Sequence, residues 1–550
     1  MIAKSDIFGY KPNKAYEKSV AYFSMEFAID QSLKTYSGGL GFLAGSHMRS
    51  AYQLKQNLLG IGILWKYGYY DQVRASDGSM KSDYIQKHYS FLHDTGIVFP
   101  VIVKEREVFV KAYLLKPETF QTTPIFFLST DLPENDEDAK KITDHLYDSH
   151  EEIRVAQSIV LGIGGAKLID ILGINIDLYH INEGHALPVT FYLYDKFKSI
   201  EEVRKHFVFT THTPEAAGNE EHNFELVSRM SLFCGIPDEE VKSILDITNN
   251  RLNYTLGALK FAKIANAVSE MHGDVSREMW EGNENICDII SITNAQDEKY
   301  WTDNELHQAF KNNDNNALAS RKIELKKSLF NVVADQSGKL FDENVFTLVW
   351  ARRFAGYKRA DLITYDFERF ARLLANKKYP IQIIWAGKPY PKDYGAIDTF
   401  NKIFKETLQF PNCTILTGYE LALSATLKKG SDAWLNNPKL YREASGTSGM
   451  TAAMNGSVNF SIPDGWIPEF SKHGQNCFLA EPADRSLSEE EQNVIESSRL
   501  LDILENEILP TYYEKPDQWW QIVKNAMEDV VPRFDSKRMA KEYYDKLFNK

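Results

Sequence analysis

The chain alternates short, continuous apolar runs with longer stretches in which apolar residues recur every three or four positions. The runs Leu178 to Ile181, Phe207 to Thr210, Val345 to Trp350, Ile381 to Ala386, Thr414 to Leu416 and Val458 to Phe460 are too short for helices. They are also too evenly apolar for a sheet wetted on one face, so they predict strands buried on both sides. The amphipathic stretches between them predict covering helices, and this alternation makes open parallel sheets of the α/β class. A polar run, Lys311-Asn-Asn-Asp-Asn-Asn316, interrupts the pattern and places a junction between about Asn294 and Glu343. Two Rossmann-like domains are the expectation. Ser488-Glu-Glu-Glu491 reads as a capping box at the start of a late helix.

Composition narrows the function classes. With 550 residues, 43% hydrophobic and 13% aromatic, the chain can bury large cores, which excludes a disordered protein. A net charge of −13 disfavours nucleic acid or an anionic membrane as the main partner, so an anionic ligand needs locally gathered positive charge. The start, Met-Ile-Ala-Lys-Ser-Asp, has no basic segment leading into an apolar core, and no uninterrupted apolar run has the length of a membrane span. A cytoplasmic protein is expected. Cys234, Cys287, Cys413 and Cys477 are widely separated and lack metal-ligand spacing, which predicts four reduced thiols and no metal site.

Candidate chemistry falls where strands end, the place where doubly wound sheets bind ligands. Asn182-Glu-Gly-His185 and Thr211-His-Thr-Pro-Glu215 each follow a predicted strand and bring an imidazole to its exit. The glycine-rich turn Tyr36-Ser-Gly-Gly-Leu-Gly41 lets backbone amides approach a phosphate or a sugar closely. Trp350-Ala-Arg-Arg-Phe-Ala-Gly-Tyr-Lys-Arg359 puts Arg353 and Lys358 just beyond a strand, where two cations can hold a phosphate. Glu443-Ala-Ser-Gly-Thr-Ser-Gly-Met-Thr451 leads an acidic residue into a small-residue helix start, whose unpaired amides suit an anion.

Taken in order, these segments resemble the α-glucan (glycogen and maltodextrin) phosphorylases, most closely the short bacterial type. Ala21-Tyr-Phe-Ser-Met-Glu-Phe27, His272-Gly-Asp-Val-Ser-Arg-Glu-Met-Trp280, Thr293-Asn294 and Ala386-Gly-Lys388 extend the likeness over nearly the whole chain. The resemblance implies the GT-B architecture, two Rossmann-like domains facing across a cleft. Residues 1–298 would form the glucan side and 299–525 the donor side, with a last helix, 526–550, crossing back. It implies reversible phosphorolysis of α-1,4-glucan with retention. His212, Arg353, Lys358 and Glu443 would be catalytic. Gly38, Gly39, Leu40, His185, Asn294, Ser445 and Gly446 would bind substrate, and Arg353, Lys358, Gly446, Thr447 and Ser448 would hold phosphate or cofactor.

The departures shape the expectation. In that family a lysine carries pyridoxal phosphate as an imine at the position where this chain has Thr451, so covalent pyridoxal phosphate is not expected. Non-covalent pyridoxal phosphate or a nucleoside diphosphate in the same pocket stays open. Ala295 stands where a glycine usually follows the asparagine. Expected partners are α-1,4-glucan or maltooligosaccharide with phosphate, glucose 1-phosphate or a nucleotide sugar, and a second copy of the chain, since the family is often dimeric. A nucleotide-sugar-dependent glucan synthase on the same scaffold, or an inactive glucan-binding homologue, are the alternatives.

Overall fold

The computed structural model describes residues 7–550 and divides into two compact units. The first runs to Tyr70 and adds Tyr84–Asp297 and Ser536–Lys550; the second comprises Asp71–Asp83 and Glu298–Asp535. The strands of the first half are β1 (Val20–Ser24), β2 (Leu58–Ile63), β3 (Asp71–Arg74), β4 (Met80–Asp83), β5 (His93–Val103), β6 (Arg106–Leu115), β7 (Ile125–Ser129), β8 (Leu178–Asn182), β9 (Phe207–Thr210), β10 (Glu221–Asn223), β11 (Arg251–Asn253), β12 (Ala265–Ala267) and β13 (Ile289–Ser291). The second half adds β14 (Phe346–Ala351), β15 (Ile381–Ala386), β16 (Cys413–Leu416), β17 (Ala433–Asn436), β18 (Val458–Ser461) and β19 (Cys477–Leu479).

In the first unit nine strands lie in the order β13-β12-β9-β8-β1-β2-β7-β6-β5. Those from β13 to β7 are parallel, and β6 and β5 continue antiparallel at one edge. The second unit is a six-stranded parallel sheet, β16-β15-β14-β17-β18-β19. Counted along the chain, this is the doubly wound order 3-2-1-4-5-6, with its switch point between β14 and β17. Strands β1, β2, β8, β14 and β15 are buried along their whole length, as expected of sheets covered on both faces. The α/β architecture with two parallel-core sheets expected of the GT-B fold is therefore present.

The units divide differently from the expected boundaries at two places. The β3 and β4 hairpin, read as part of the first domain, belongs to the second unit. Gln72 donates to the Gly387 carbonyl at 2.9 Å and accepts from the Gly418 amide at 3.0 Å, and the Arg74 guanidinium lies 4.6 Å from the Phe404 ring centroid. The return to the first unit begins at Ser536, not at residue 526, because Val530 and Phe534 pack with Trp466 and Phe470. Met539, Tyr543, Tyr544, Leu547 and Phe548 then join the core of the first unit. The Asn-rich run is a turn between the helices Asn304–Lys311 and Asn315–Ser337 and lies inside the second unit.

One helix, Glu151–Leu172, has the length and apolarity of a membrane span, but 78% of its apolar stretch is buried inside the first unit, which makes it a core helix. Gly162 in that helix explains its close fit. A Cβ there would stand 2.7 Å from the Val189 amide nitrogen and 2.8 Å from the Ala186 carbonyl, so only glycine lets the helix approach the turn that follows β8. The capping box is present, with Ser488 and Glu491 satisfying each other's backbone amides. All four cysteines are free thiols.

Candidate active site

In the first unit the polar groups collect at the carboxyl ends of adjacent strands. Asn182 ends β8, and His212 lies two residues past β9; His212 Nε2 is 2.6 Å from Asn182 Oδ1. A carbonyl oxygen only accepts, so Nε2 carries the proton and Nδ1 is left as an acceptor. Asn182 donates in turn to Ser24 Oγ at the end of β1, at 3.2 Å, and Ser24 donates to the Glu26 carbonyl at 2.8 Å. The imidazole is therefore fixed by two neighbouring strand exits. Burial, reinforced by His272 and His185, pushes the His212 pKa down to about 3, and burial takes His272 to about 4. Both rings are neutral at physiological pH, suited to hydrogen bonding with hydroxyls and not to holding an anion.

Glu183 supports this loop from below. Its carboxylate accepts from the His212 amide at 2.9 Å, the Thr213 hydroxyl at 3.1 Å and the Gly184 amide at 3.2 Å, while its own φ is +71°. A glutamate in that backbone region carries strain that the three hydrogen bonds offset. Burial raises its pKa. His185 Nδ1, His272 Nε2 and Asn294 Oδ1 are buried polar atoms that lack a protein partner, so this edge offers hydrogen bonds that the protein itself does not use.

Gly38, Gly39 and Leu40 form the entry to the helix Gly39–Gln53, and the buried Glu26 carboxylate holds that entry. It accepts from the Ser37 amide at 2.7 Å, the Gly38 amide at 3.1 Å, the Ser37 hydroxyl at 2.8 Å and the Tyr147 hydroxyl at 2.6 Å.

The second unit is built from charges. Glu443 accepts from Arg352 Nη2 at 2.6 Å and from Lys358 Nζ at 2.8 and 3.0 Å; the three side chains are 12%, 5% and 10% exposed. Burial alone would raise the Glu443 pKa, but Lys358 and Arg352 outweigh it and hold the carboxyl below its ordinary value. Arg352 Nε and Nη1 and Ser445 Oγ are buried beside this carboxylate without protein partners. Arg353, expected to act with Lys358, is exposed at the same strand exit.

Asp464 fixes the segment that carries Glu443. Its carboxylate accepts from the amides of Arg442 at 3.1 Å, Glu443 at 3.0 Å and Gly465 at 2.9 Å, and the Trp466 amide donates to the Ser445 carbonyl at 2.9 Å. Gly465, at φ +60°, could not carry a Cβ, which would lie 2.3 Å from the Ser445 carbonyl oxygen. Burial raises the Asp464 pKa to about 7 against its hydrogen bonds, and Glu443 adds repulsion.

Gly446, at φ +87°, turns the chain into the helix Ser448–Met454, where the Trp434 indole donates to Ser448 Oγ at 3.3 Å. Thr447 sits at its start without a side-chain capping bond. Thr451 is buried and donates its hydroxyl to the Ser448 carbonyl at 3.0 Å, so its one polar atom is used within its own helix. Among the described residues, no cluster of histidine, cysteine or carboxylate side chains could hold a metal ion.

Of the residues singled out in the sequence, Lys358, Glu443, Ser445 and Gly446 come together in the second unit, and His212 and His185 in the first. Asn294 follows β13, two strands beyond β9 in the sheet. Asn182, Glu183, Glu26, Arg352 and Asp464 complete the two arrangements. Asn182, Glu183 and Glu26 stand inside the quoted motifs, yet no spacing rule gives them a role.

No family model matches the chain. The uncharacterized protein MJ1631 of Methanocaldococcus jannaschii is 47% identical over 532 residues, covering 96% of this chain and 100% of that protein. Maltodextrin phosphorylase of Thermococcus litoralis is 31% identical over 595 aligned positions, covering 97% of this chain and 71% of the relative. Glycogen phosphorylase of Aquifex aeolicus is 30% identical, covering 98% of this chain and 87% of the relative. With such likeness along its whole length, and a parallel-core sheet in each unit, the chain belongs to the glycogen and maltodextrin phosphorylase family.

Proposed function

We propose that the chain is a retaining glucosyltransferase of the phosphorylase type that moves the terminal glucosyl unit of an α-1,4-glucan reversibly onto phosphate. One observation carries the reading: Arg352 is 5% exposed, is paired through Nη2 alone, and keeps two buried donors without partners next to Lys358 and the unpartnered Ser445 hydroxyl. Unused donors on a buried guanidinium suit an oxyanion, and phosphate is one that arginine binds strongly. The names of the relatives, a maltodextrin phosphorylase and a glycogen phosphorylase, support glucan and phosphate as the substrates.

In this reading the neutral His212, with Asn294 and the glycine-rich turn at Gly38, Gly39 and Leu40, binds the sugar. Arg352, Arg353 and Lys358 bind the phosphate, and Glu443 with Ser445 and Gly446 receives sugar hydroxyls. Positive charge that builds at the anomeric carbon is stabilised by the nearby phosphate, so no protein nucleophile is needed.

The pyridoxal phosphate of the family does not fit here as a covalent group. Threonine has no amine for an imine, and the Thr451 hydroxyl is already committed to Ser448. We therefore assign no step to it; non-covalent pyridoxal phosphate or a nucleoside diphosphate is what the same space would take. The missing amine is also what favours a second reading, transfer from a nucleotide sugar to glucan.

The test is a product assay on the purified protein with maltoheptaose and inorganic phosphate. Glucose 1-phosphate of the α-anomer is the expected product. Chain extension from a nucleotide-glucose donor, with no glucose 1-phosphate from phosphate, would replace the first reading by the second. Failure of both, with glucan still bound, would mark an inactive binding protein.

A further inference from the structure

The first unit carries a row of aromatic rings along the carboxyl edge of its sheet, beyond the residues already given a role. From His185 the row passes to Tyr147, with ring centroids 5.6 Å apart, and from Tyr147 to Tyr69 at 6.5 Å. Two residues before Tyr147, the His145 ring stacks on Tyr67 at 5.0 Å and 23°, and meets Tyr84 edge-on at 4.6 Å. Tyr67 lies just past the end of β2 and His185 just past β8; the strands are two places apart in the sheet, about 10 Å.

This outer stack is rigid and reaches solvent. Three backbone hydrogen bonds join its two loops: Lys66 to Thr143 at 3.0 Å, Tyr67 to Asp144 at 2.9 Å and Leu146 to Gly68 at 2.9 Å. The segment that follows Tyr84 is tied to the same loop by the Lys87 amide, which donates to the Lys66 carbonyl at 2.9 Å. Tyr84 is nevertheless 45% exposed and its neighbour Ile85 56% exposed, so the outer face of the stack is open to solvent. Polar groups border the stack: Lys66 pairs with Asp131 at 3.1 Å, and His145 Nδ1 is buried without a protein partner. Flat apolar rings beside fixed hydrogen-bonding groups match the two-sided chemistry of a pyranose, which shows C–H faces and hydroxyl edges.

We propose that Tyr84, His145 and Tyr67 form a distal subsite for an α-1,4-glucan chain, holding sugar units that extend past the pocket at His185 and His212. This rests on the glucan reading above and adds a length preference to it. A chain of two sugars does not reach the stack; a longer one does, and gains affinity from it.

Calorimetric titration of the full-length protein with maltose and with maltoheptaose tests the assignment, comparing wild type with Tyr84→Ala and Tyr84→Trp. Tyr84→Ala should weaken maltoheptaose binding about tenfold, the scale of one lost aromatic contact, and leave maltose unchanged. Tyr84→Trp should keep the maltoheptaose affinity. Wild-type binding of maltoheptaose that Tyr84→Ala leaves intact would overturn the subsite and spare the glucan reading. A wild-type protein that binds neither sugar would overturn the glucan reading, and the subsite with it.

Discussion

The two units present opposite electrostatics on a common scaffold. At the strand exits of the first, His212 and His272 are held neutral by burial and offer hydrogen bonds; at those of the second, Arg352 and Lys358 are charged and clasp Glu443. Yet each uses the same fastening, a buried carboxylate that accepts backbone amides: Glu26 and Glu183 in the first, Asp464 in the second. Strand exits supply position, and buried carboxylates supply rigidity. Side-chain charge alone then decides whether a site suits hydroxyls or an anion.

The largest effect that would break this comparison is on stability. Glu443→Ala leaves Arg352 and Lys358 buried as unpaired cations and should cost about 3–5 kcal/mol, read as a fall in the denaturant midpoint. Loss of less than about 1 kcal/mol would mean that the cations are solvated and that the contrast between the units is overstated.

Next come the ligand effects. Arg352→Ala should lower turnover about a hundredfold or more, as for removal of one charge-stabilising donor, and weaken phosphate while sparing glucan affinity. His212→Ala should do the reverse, weakening glucan and sparing phosphate. Titration of each variant with each ligand separates them, and two variants that lose the same ligand would erase the proposed division.

The fastenings themselves are worth less. Asp464→Asn and Glu26→Gln each remove an acceptor from buried amides and should cost about 1–3 kcal/mol in equilibrium unfolding.

The smallest effect is on pH. Asp464 has its pKa raised to about 7 by burial, so its contribution to stability is present at acid pH and is lost as pH rises through 7. In the first unit, burial would lower the pKa of His222, but the hydrogen bonds its ring donates to Glu220 and Glu151 outweigh it and raise it above its ordinary value. Its contribution is full below about 6.5 and fades as pH rises through the raised value. The melting temperature should fall between about pH 5 and pH 8, with Asp464→Asn flattening the lower part of the fall and His222→Gln the upper.

Six strands buried on both faces were legible in the sequence, while β1, β2, β7 and β17, equally buried, were not among the apolar runs read there. β9 and β15 match the apolar runs at both ends, β8, β16 and β18 differ by a single residue at one boundary, and β14 is shifted by one residue at both. β5 alternates in burial over much of its length and was not among those runs. That Arg352 is the arginine paired with Glu443 was not legible. The Arg352 amide donates to the Ala386 carbonyl at 3.2 Å, which extends the ladder one residue past β14. Strand alternation then turns Arg352 inward and Arg353 outward. Glu26 and Asp464 were hidden for another reason: they act on backbone amides far along the chain, and no residue type at any spacing marks such a partner. The β3 and β4 hairpin was assigned to the wrong unit because Gln72 and Arg74 find their contacts only once the fold exists.

The most direct test of the division of labour is a crystal structure of the protein with maltoheptaose and inorganic phosphate. The account predicts phosphate within hydrogen-bonding distance of Arg352 Nε or Nη1, and a glucosyl ring against His212 and Asn294. Density for phosphate at the imidazoles, or for both compounds away from all three residues, would contradict it.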